Sequence, residues 1–222
     1  MNNVKTYIED VKTYIEEFSK RICNVTNASD TFNTIDDYFK NNPVYNNGLF
    51  GRVWILIGKN KDEKYVSLIV AQSEDIQHEI TSDVWAMFNL EHKKQRFSQE
   101  KWDWDKEVRY NLDVIHGPQI AKINSNDNKY FYQKNHSKIK NQYLYRYLFK
   151  NYRDLQIYEV DIDLYLGINQ NIELDTGIKN IYEFGKDYYA ESKLAVETKS
   201  LFWNYYKSGI GKRAYNYFIK QQ

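Results

Sequence analysis

Two apolar runs joined by a short polar stretch constrain this chain more than anything else in it. Arg52–Ile57 (RVWILI) and Tyr65–Ala71 (YVSLIVA) read as strands, and the polar Lys59–Glu63 between them reads as a turn, so the spacing predicts an antiparallel hairpin. A helix is expected next. Ser73 is a suitable N-cap, and Glu74 and Asp75 fall in the first turn, where the helix dipole favours anions. Ile76, Ile80, Val84, Met87 and Phe88 then recur on one helical stripe.

Ahead of this unit, residues 4–9 and 11–16 repeat the letters VKTYIE. Val4, Tyr7, Ile8, Val11, Tyr14, Ile15, Phe18 and Ile22 share one stripe, which predicts a first helix running to about Cys23. A second helix is expected after Ser29 or Asp30, carrying Phe32, Ile35 and Phe39 and stopped by Asn41-Asn42-Pro43. Beyond the hairpin and its helix, Val108–Val114 alternates as a strand, and Ile120–Ile123 with Lys129–Gln133 reads as a second hairpin. Ile139–Tyr152 reads as an aromatic-rich helix, Leu155–Leu164 (LQIYEVDIDL) as a strand, and Asp187–Lys207 as a long helix ended by Ser208-Gly209.

These elements predict an α+β fold: an antiparallel sheet with packed helices and an N-terminal helical cap. At 222 residues one domain suffices, with 1–45 as the cap and 50–222 as the core. The single cysteine, Cys23, excludes an internal disulfide and a thiolate metal cluster. The start MNNVKTYIED lacks a basic, then apolar, leader, and no apolar run approaches the ~18 residues of a membrane span. A cytoplasmic protein with no membrane partner is the expectation.

Charge is the second guide. Residues 117–153 hold eight Lys/Arg against one acid, residues 154–191 nine acids against two lysines, and residues 198–222 five basic residues and no acid. Two basic blocks around an acidic one can fold into a phosphate-attracting field around a carboxylate cluster, or can cancel by pairing with each other. In both basic blocks the cations interleave with Tyr, Phe and Trp, a pattern suited to nucleic acid, because phosphates meet cations while bases stack on rings. Lys134, Lys138, Lys140, Arg146, Lys212 and Arg213 are the candidate phosphate contacts. Gly209-Ile210-Gly211 could add backbone N–H groups, although full P-loop spacing is missing. The 21 tyrosines suit an interface as well as a core.

On a strand, Glu159, Asp161 and Asp163 would share one face. Three such carboxylates repel unless solvated, paired or metal-bound, so they are either a solvated face or oxygen ligands for Mg²⁺. His78, His92, His116 and His136 lack zinc-ligand spacing. Glu191-Ser192-Lys193 and Glu197-Thr198-Lys199 have the E-x-K spacing seen in PD-(D/E)xK nucleases, but on a helical stripe rather than that family's strand.

The order strand, turn, strand ending Ala71-Gln72-Ser73, helix, later strand and later helix resembles that of GIY-YIG nucleases over about residues 50–90 and 155–210. The resemblance implies a metal-binding glutamate on the later helix, at Glu191 or Glu197. The family's two tyrosines would fall on Trp54 and Ile69 and its arginine near Glu79, so none is matched. Tyr65, Arg52 or His78 would have to serve instead. The combined expectation is a metal-dependent nuclease, of restriction type on DNA. It would use Glu197, Glu191, Tyr65 and Arg52 in catalysis and Glu197, Glu159, Asp161 and Asp163 toward Mg²⁺, and a homodimer would suit palindromic DNA. The alternative is a non-catalytic binding or inhibitory protein, such as a phage or mobile-element accessory factor, acting through a Tyr-rich surface.

Overall fold

In the computed structural model, which describes residues 8, 10–43, 52–88, 145, 148–168 and 176–203, the expected hairpin is the middle of a five-stranded sheet. β1 (Ser19–Asn24), β2 (Arg52–Lys59), β3 (Tyr65–Ser73), β4 (Arg153–Val160) and β5 (Phe202–Trp203) lie in the order β1-β4-β2-β3-β5. The first four pair antiparallel and β5 joins β3 in parallel. Helices cover both faces, and the fold is α+β.

β2 is central, which explains an apolar run without polar alternation: Val53 through Ile57 are all fully buried. Its side chains alternate between two cores. Val53, Ile55 and Ile57 meet α1 (Val11–Glu16) and Ala190, Leu194 and Ala195 of α5 (Thr176–Glu197). Trp54 and Leu56 meet α2 (Ala28–Asn41), α3 (Ile76–Met87), Tyr145 and Leu148. In the turn, Asn60 Oδ1 accepts from the N–H groups of Asp62 (2.9 Å) and Lys64 (3.1 Å), and Glu63 takes a left-handed φ of 59°.

Four expectations are corrected. The first helix stops at Glu16, and Ser19–Asn24 is a strand. The stripe that suggested one long helix divides between the two cores: Val11, Ile15 and Phe18 lie in one, Ile22 in the other. Pairing with β4 satisfies backbone groups that a longer helix would have satisfied internally. Lys20, Arg21 and a register shift between Arg21 and Cys23 blunt this edge strand against further pairing.

The second correction is at α3, whose N-cap is Asp75 rather than Ser73. Asp75 Oδ1 accepts from His78 N (3.2 Å), while Ser73 ends β3 and its Oγ accepts from Asp75 N (3.2 Å). Third, β4 ends at Val160 instead of running to Leu164. Asp161 caps α4 (Ile162–Leu166) through Leu164 N (3.0 Å), and Gly167, at φ 67°, closes it. Fourth, α5 begins at Thr176 and ends at Glu197. Lys199 at φ 52° and a bond from Ser200 N to Ala195 O (2.9 Å) turn the chain into β5, so Phe202 is on a strand.

α2 carries Phe32, Ile35 and Phe39 and ends at Asn41 as expected, but it begins at Ala28: Asn27 Oδ1 caps it by accepting from Asp30 N (3.0 Å), so Ser29 and Asp30 lie inside the helix rather than ahead of it. Tyr145 and residues 148–151 are helical, within the helix expected over Ile139–Tyr152. The strand expected at Val108–Val114, the second hairpin and the Ser208-Gly209 stop lie outside the described residues.

Candidate functional site

Glu197 is the last residue of α5, and three elements converge on it. Lys193, one helical turn earlier, places Nζ 2.8 Å from Glu197 Oε1, the i,i+4 geometry that puts both side chains on one helix face. Tyr14 of α1 and Tyr165 of α4 donate their hydroxyls to Glu197 Oε2 at 2.8 and 2.5 Å. The Phe18 ring packs on both tyrosines, with centroids at 5.1 Å from Tyr14 and 4.6 Å from Tyr165. Lys193 Nζ also lies 4.3 Å from the Tyr165 ring centre, a cation–π contact.

The electrostatics follow from this arrangement. Burial pushes the Glu197 carboxyl up, but hydrogen bonds from Lys193, Tyr165 and Tyr14 outweigh it and hold the group below the ordinary carboxylate range. Burial, and then the neighbouring carboxylate, push both phenols above the ordinary tyrosine value. Glu197 is therefore an ionised, one-third exposed carboxylate. The tyrosines stay protonated and act as donors that fix it.

The other candidate residues are dispersed. Glu191 is fully buried, six positions from Glu197 and on another side of α5. Asp163 pairs with Lys186 (2.8 Å), which also reaches Glu183 (2.5 Å) and ties α4 to α5. Tyr65 donates to Asp154, and its phenol is pushed up to about 12 by burial and then by that carboxylate. His78 is exposed on α3.

Arg52, Glu159 and Asp161 do meet, in an open cleft of about 390 Å³ where β1 and β2 begin and β4 ends. Arg52 Nε pairs with Glu159 Oε1, and Tyr38 of α2 donates to Glu159 Oε2 (2.8 Å). The sheet register explains the grouping, because Glu159 faces Lys20 across β1 and Trp54 across β2, and Arg52 lies two residues before Trp54 on the same side.

The row of three acids expected on β4 is thus not formed, since Asp161 became a cap and Asp163 entered a helix. Among the described residues no three His, Cys, Asp or Glu side chains group as a metal ion would need. Mg²⁺ is often held by one or two carboxylates with water and substrate phosphate completing its shell, so Glu197 fits as a single protein ligand and not as part of a cage. Lys134, Lys138, Lys140, Arg146, Lys212 and Arg213 lie outside the described residues.

Sequence reasoning missed Tyr14, Tyr165, Tyr38 and Lys20. The Lys193–Glu197 spacing was readable as a helical pair, but Tyr14 bonds a partner 183 positions away and leaves no local signal. Comparison with protein-family models, curated proteins and solved structures finds no match. Among the described residues no helix is long and apolar enough to cross a membrane.

Proposed function

We propose that this chain is a metal-dependent nuclease, a phosphodiesterase of the restriction type acting on DNA, with Glu197 at its centre. The observation that carries this reading is the gathering of an ionised, partly exposed glutamate, a lysine and two tyrosines at the end of α5. The glutamate and the two tyrosines are residue types that the GIY-YIG resemblance called for, the tyrosines drawn from other positions in the chain, while a lysine stands where that family uses an arginine. Of the two glutamates it offered, Glu197 is the one solvent reaches, since Glu191 is fully buried. The chain then continues directly into a segment with five basic residues and no acid.

Hydrolysis of a phosphodiester joins a water oxygen to phosphorus, breaks one P–O ester bond and returns a proton to the leaving oxygen. When bound at Glu197, Mg²⁺ supplies Lewis-acid stabilisation of the phosphoryl oxygens. Lys193 lies where its charge can offset the negative charge that builds on those oxygens. Tyr14 and Tyr165 orient the carboxylate. The basic residues at 134–146 and 212–213 hold flanking phosphates, and a two-fold dimer would present two such sites to a palindrome.

A second reading has its own observation. Glu197, Glu159, Asp161 and Asp163 each already engage a protein group, as expected of a non-catalytic binding or inhibitory protein. Supercoiled plasmid, duplex oligonucleotides and RNA, incubated with purified protein and Mg²⁺ or Mn²⁺ against EDTA, separate the two. Metal-dependent cutting, lost in Glu197→Gln with unchanged circular dichroism, supports the nuclease. No cutting of any substrate by folded protein refutes it and favours the binder.

A further inference from the structure

The cleft beside Arg52 is separate from Glu197 but adjoins it. Phe18 lines the cleft and packs on both tyrosines that hold Glu197, and α4 turns Leu164 to the cleft while Tyr165 goes to Glu197. Its volume of about 390 Å³ falls within the ~300–1,000 Å³ usual for small-molecule sites.

Its polar groups are mixed in sign. Two cations, Lys20 and Arg52, face three carboxylates, Glu17, Glu159 and Asp161. That balance disfavours a phosphate dianion and favours a neutral ligand with hydrogen-bond donors and acceptors side by side. Both cations are held in place with donors to spare. Arg52 engages Glu159 through Nε, and its guanidinium lies 5.7 Å from the Phe39 ring centre. Lys20 Nζ donates to Asn42 Oδ1 (2.8 Å) and lies 5.4 Å from the centre of the Tyr38 ring. Asp161 is exposed, and Oδ1 alone serves as the α4 cap. Leu164 is 59% exposed, a large apolar side chain at the cleft mouth that leaves a flat ligand something to lie against.

We propose that this cleft is a base-recognition site that takes a single unpaired guanine. Guanine is neutral and planar. Its O6 and N7 accept from an arginine or lysine, while its N1–H and N2–H₂ donate to a carboxylate on the adjoining edge. Arg52 and Lys20 supply the donors, Asp161 supplies the acceptor, and Leu164 and Phe18 supply the apolar wall. Adenine reverses the donor–acceptor order on that edge and is discriminated against. The proposal rests on the nucleic-acid reading above, but not on catalysis.

Saturation-transfer NMR with free guanosine, adenosine and cytidine, without metal, tests it. Guanosine should bind at least about tenfold more tightly than adenosine, the size of one good bidentate base contact. Asp161→Asn should remove that preference and keep the helix cap, because Asn caps as well as Asp does. Lys20→Met, on an exposed side chain, should weaken guanosine without unfolding the protein. The joint replacement Arg52→Gln/Glu159→Gln, which leaves neither charge alone, should abolish binding. No saturation of guanosine, equal saturation of adenosine, or unchanged guanosine binding in all three folded variants would each overturn the assignment. Guanosine binding by a protein that cuts no substrate would leave the cleft assigned and the nuclease reading lost, and cutting without nucleoside binding would do the reverse.

Discussion

Removing one hydroxyl at a time from Glu197 tests how that site is held. Tyr14→Phe and Tyr165→Phe each keep the ring that packs on Phe18 and delete only the donor to Oε2. A hydrogen bond to a charged group contributes about 1.5–3 kcal/mol. Glu197 is one-third exposed and retains its other donors, so water recovers part of this, and each variant should lose about 1–2 kcal/mol at pH 7. At roughly 2–4 °C per kcal/mol for a chain of this size, each melting point should fall by about 2–8 °C. Because both phenols donate to one oxygen, either tightens when alone, and the double variant should lose more than the sum by about 0.5 kcal/mol. The folded-state pKa of Glu197 is depressed, so its bonds contribute above the unfolded carboxyl pKa and are lost as pH falls through the folded value. The deficits of the variants should therefore shrink in acid. Urea unfolding followed by circular dichroism at pH 7 and in acid gives all of these quantities. Deficits below 0.5 kcal/mol at pH 7, or deficits that do not change with pH, would refute the account of Glu197 as an ionised carboxylate fixed by two phenols.

Three further perturbations follow from the packing. Asp83 is buried on α3, and burial, then Glu79 one turn away, push its carboxyl well above the ordinary value, so the fold holds it protonated at pH values where the unfolded chain does not. Native-state stability should then decline as pH rises above the unfolded carboxyl pKa, and Asp83→Asn should flatten that slope in a pH series of urea melts. A Cβ at Gly58 would sit 2.6 Å from Leu155 Cδ2, 3.1 Å from Leu68 Cδ1 and 3.2 Å from Tyr152 Cβ, so Gly58→Ala should cost about 1–3 kcal/mol in the same melts. Burial pushes the Cys23 thiol up to about 12, so a disulfide reagent should label native protein at the rate of unfolding and denatured protein at once.

The hairpin, α3 and the α+β class were legible because they rest on contiguous apolar runs and a local helical stripe, although the cap itself was misplaced, Asp75 serving α3 where Ser73 was expected. α2 was legible for the same reason. β1 was not, because Val11, Ile15, Phe18 and Ile22 satisfy a helical period whether or not the backbone continues as helix, and the competing strand partner lies more than 130 residues away at Gln156–Val160. Asp161 shows the same limit on a smaller scale. An acid in an alternating run and an acid that caps a helix read alike until the next residues choose, and here Ile162–Leu166 turned helical. The site was legible only in its pieces, with Glu197, Lys193, Arg52 and Glu159 noticed and their partners not.

Those partners also account for part of the tyrosine content. Among the described residues Tyr14 and Tyr165 donate to Glu197, Tyr38 to Glu159 and Tyr65 to Asp154, and the Tyr158 hydroxyl lies 2.9 Å from Glu16 and 2.7 Å from Gln156 Oε1. Each ring packs on a core cluster while its hydroxyl reaches a carboxylate on another element, and at Glu197 and Glu159 that acid is one that packing has partly stripped of water. A carboxylate already holding two phenols and a lysine is oriented before any ligand arrives, but a cation must compete there with Lys193. Under the proposed nuclease reading Glu197 would hold Mg²⁺ and Lys193 would be released toward a substrate phosphate, because the two cations would share one carboxylate and an incoming diester would offer negative charge to the lysine and oxygen ligands to the metal. Diester and Mg²⁺ would then strengthen each other's binding, and Mg²⁺ without diester would bind weakly.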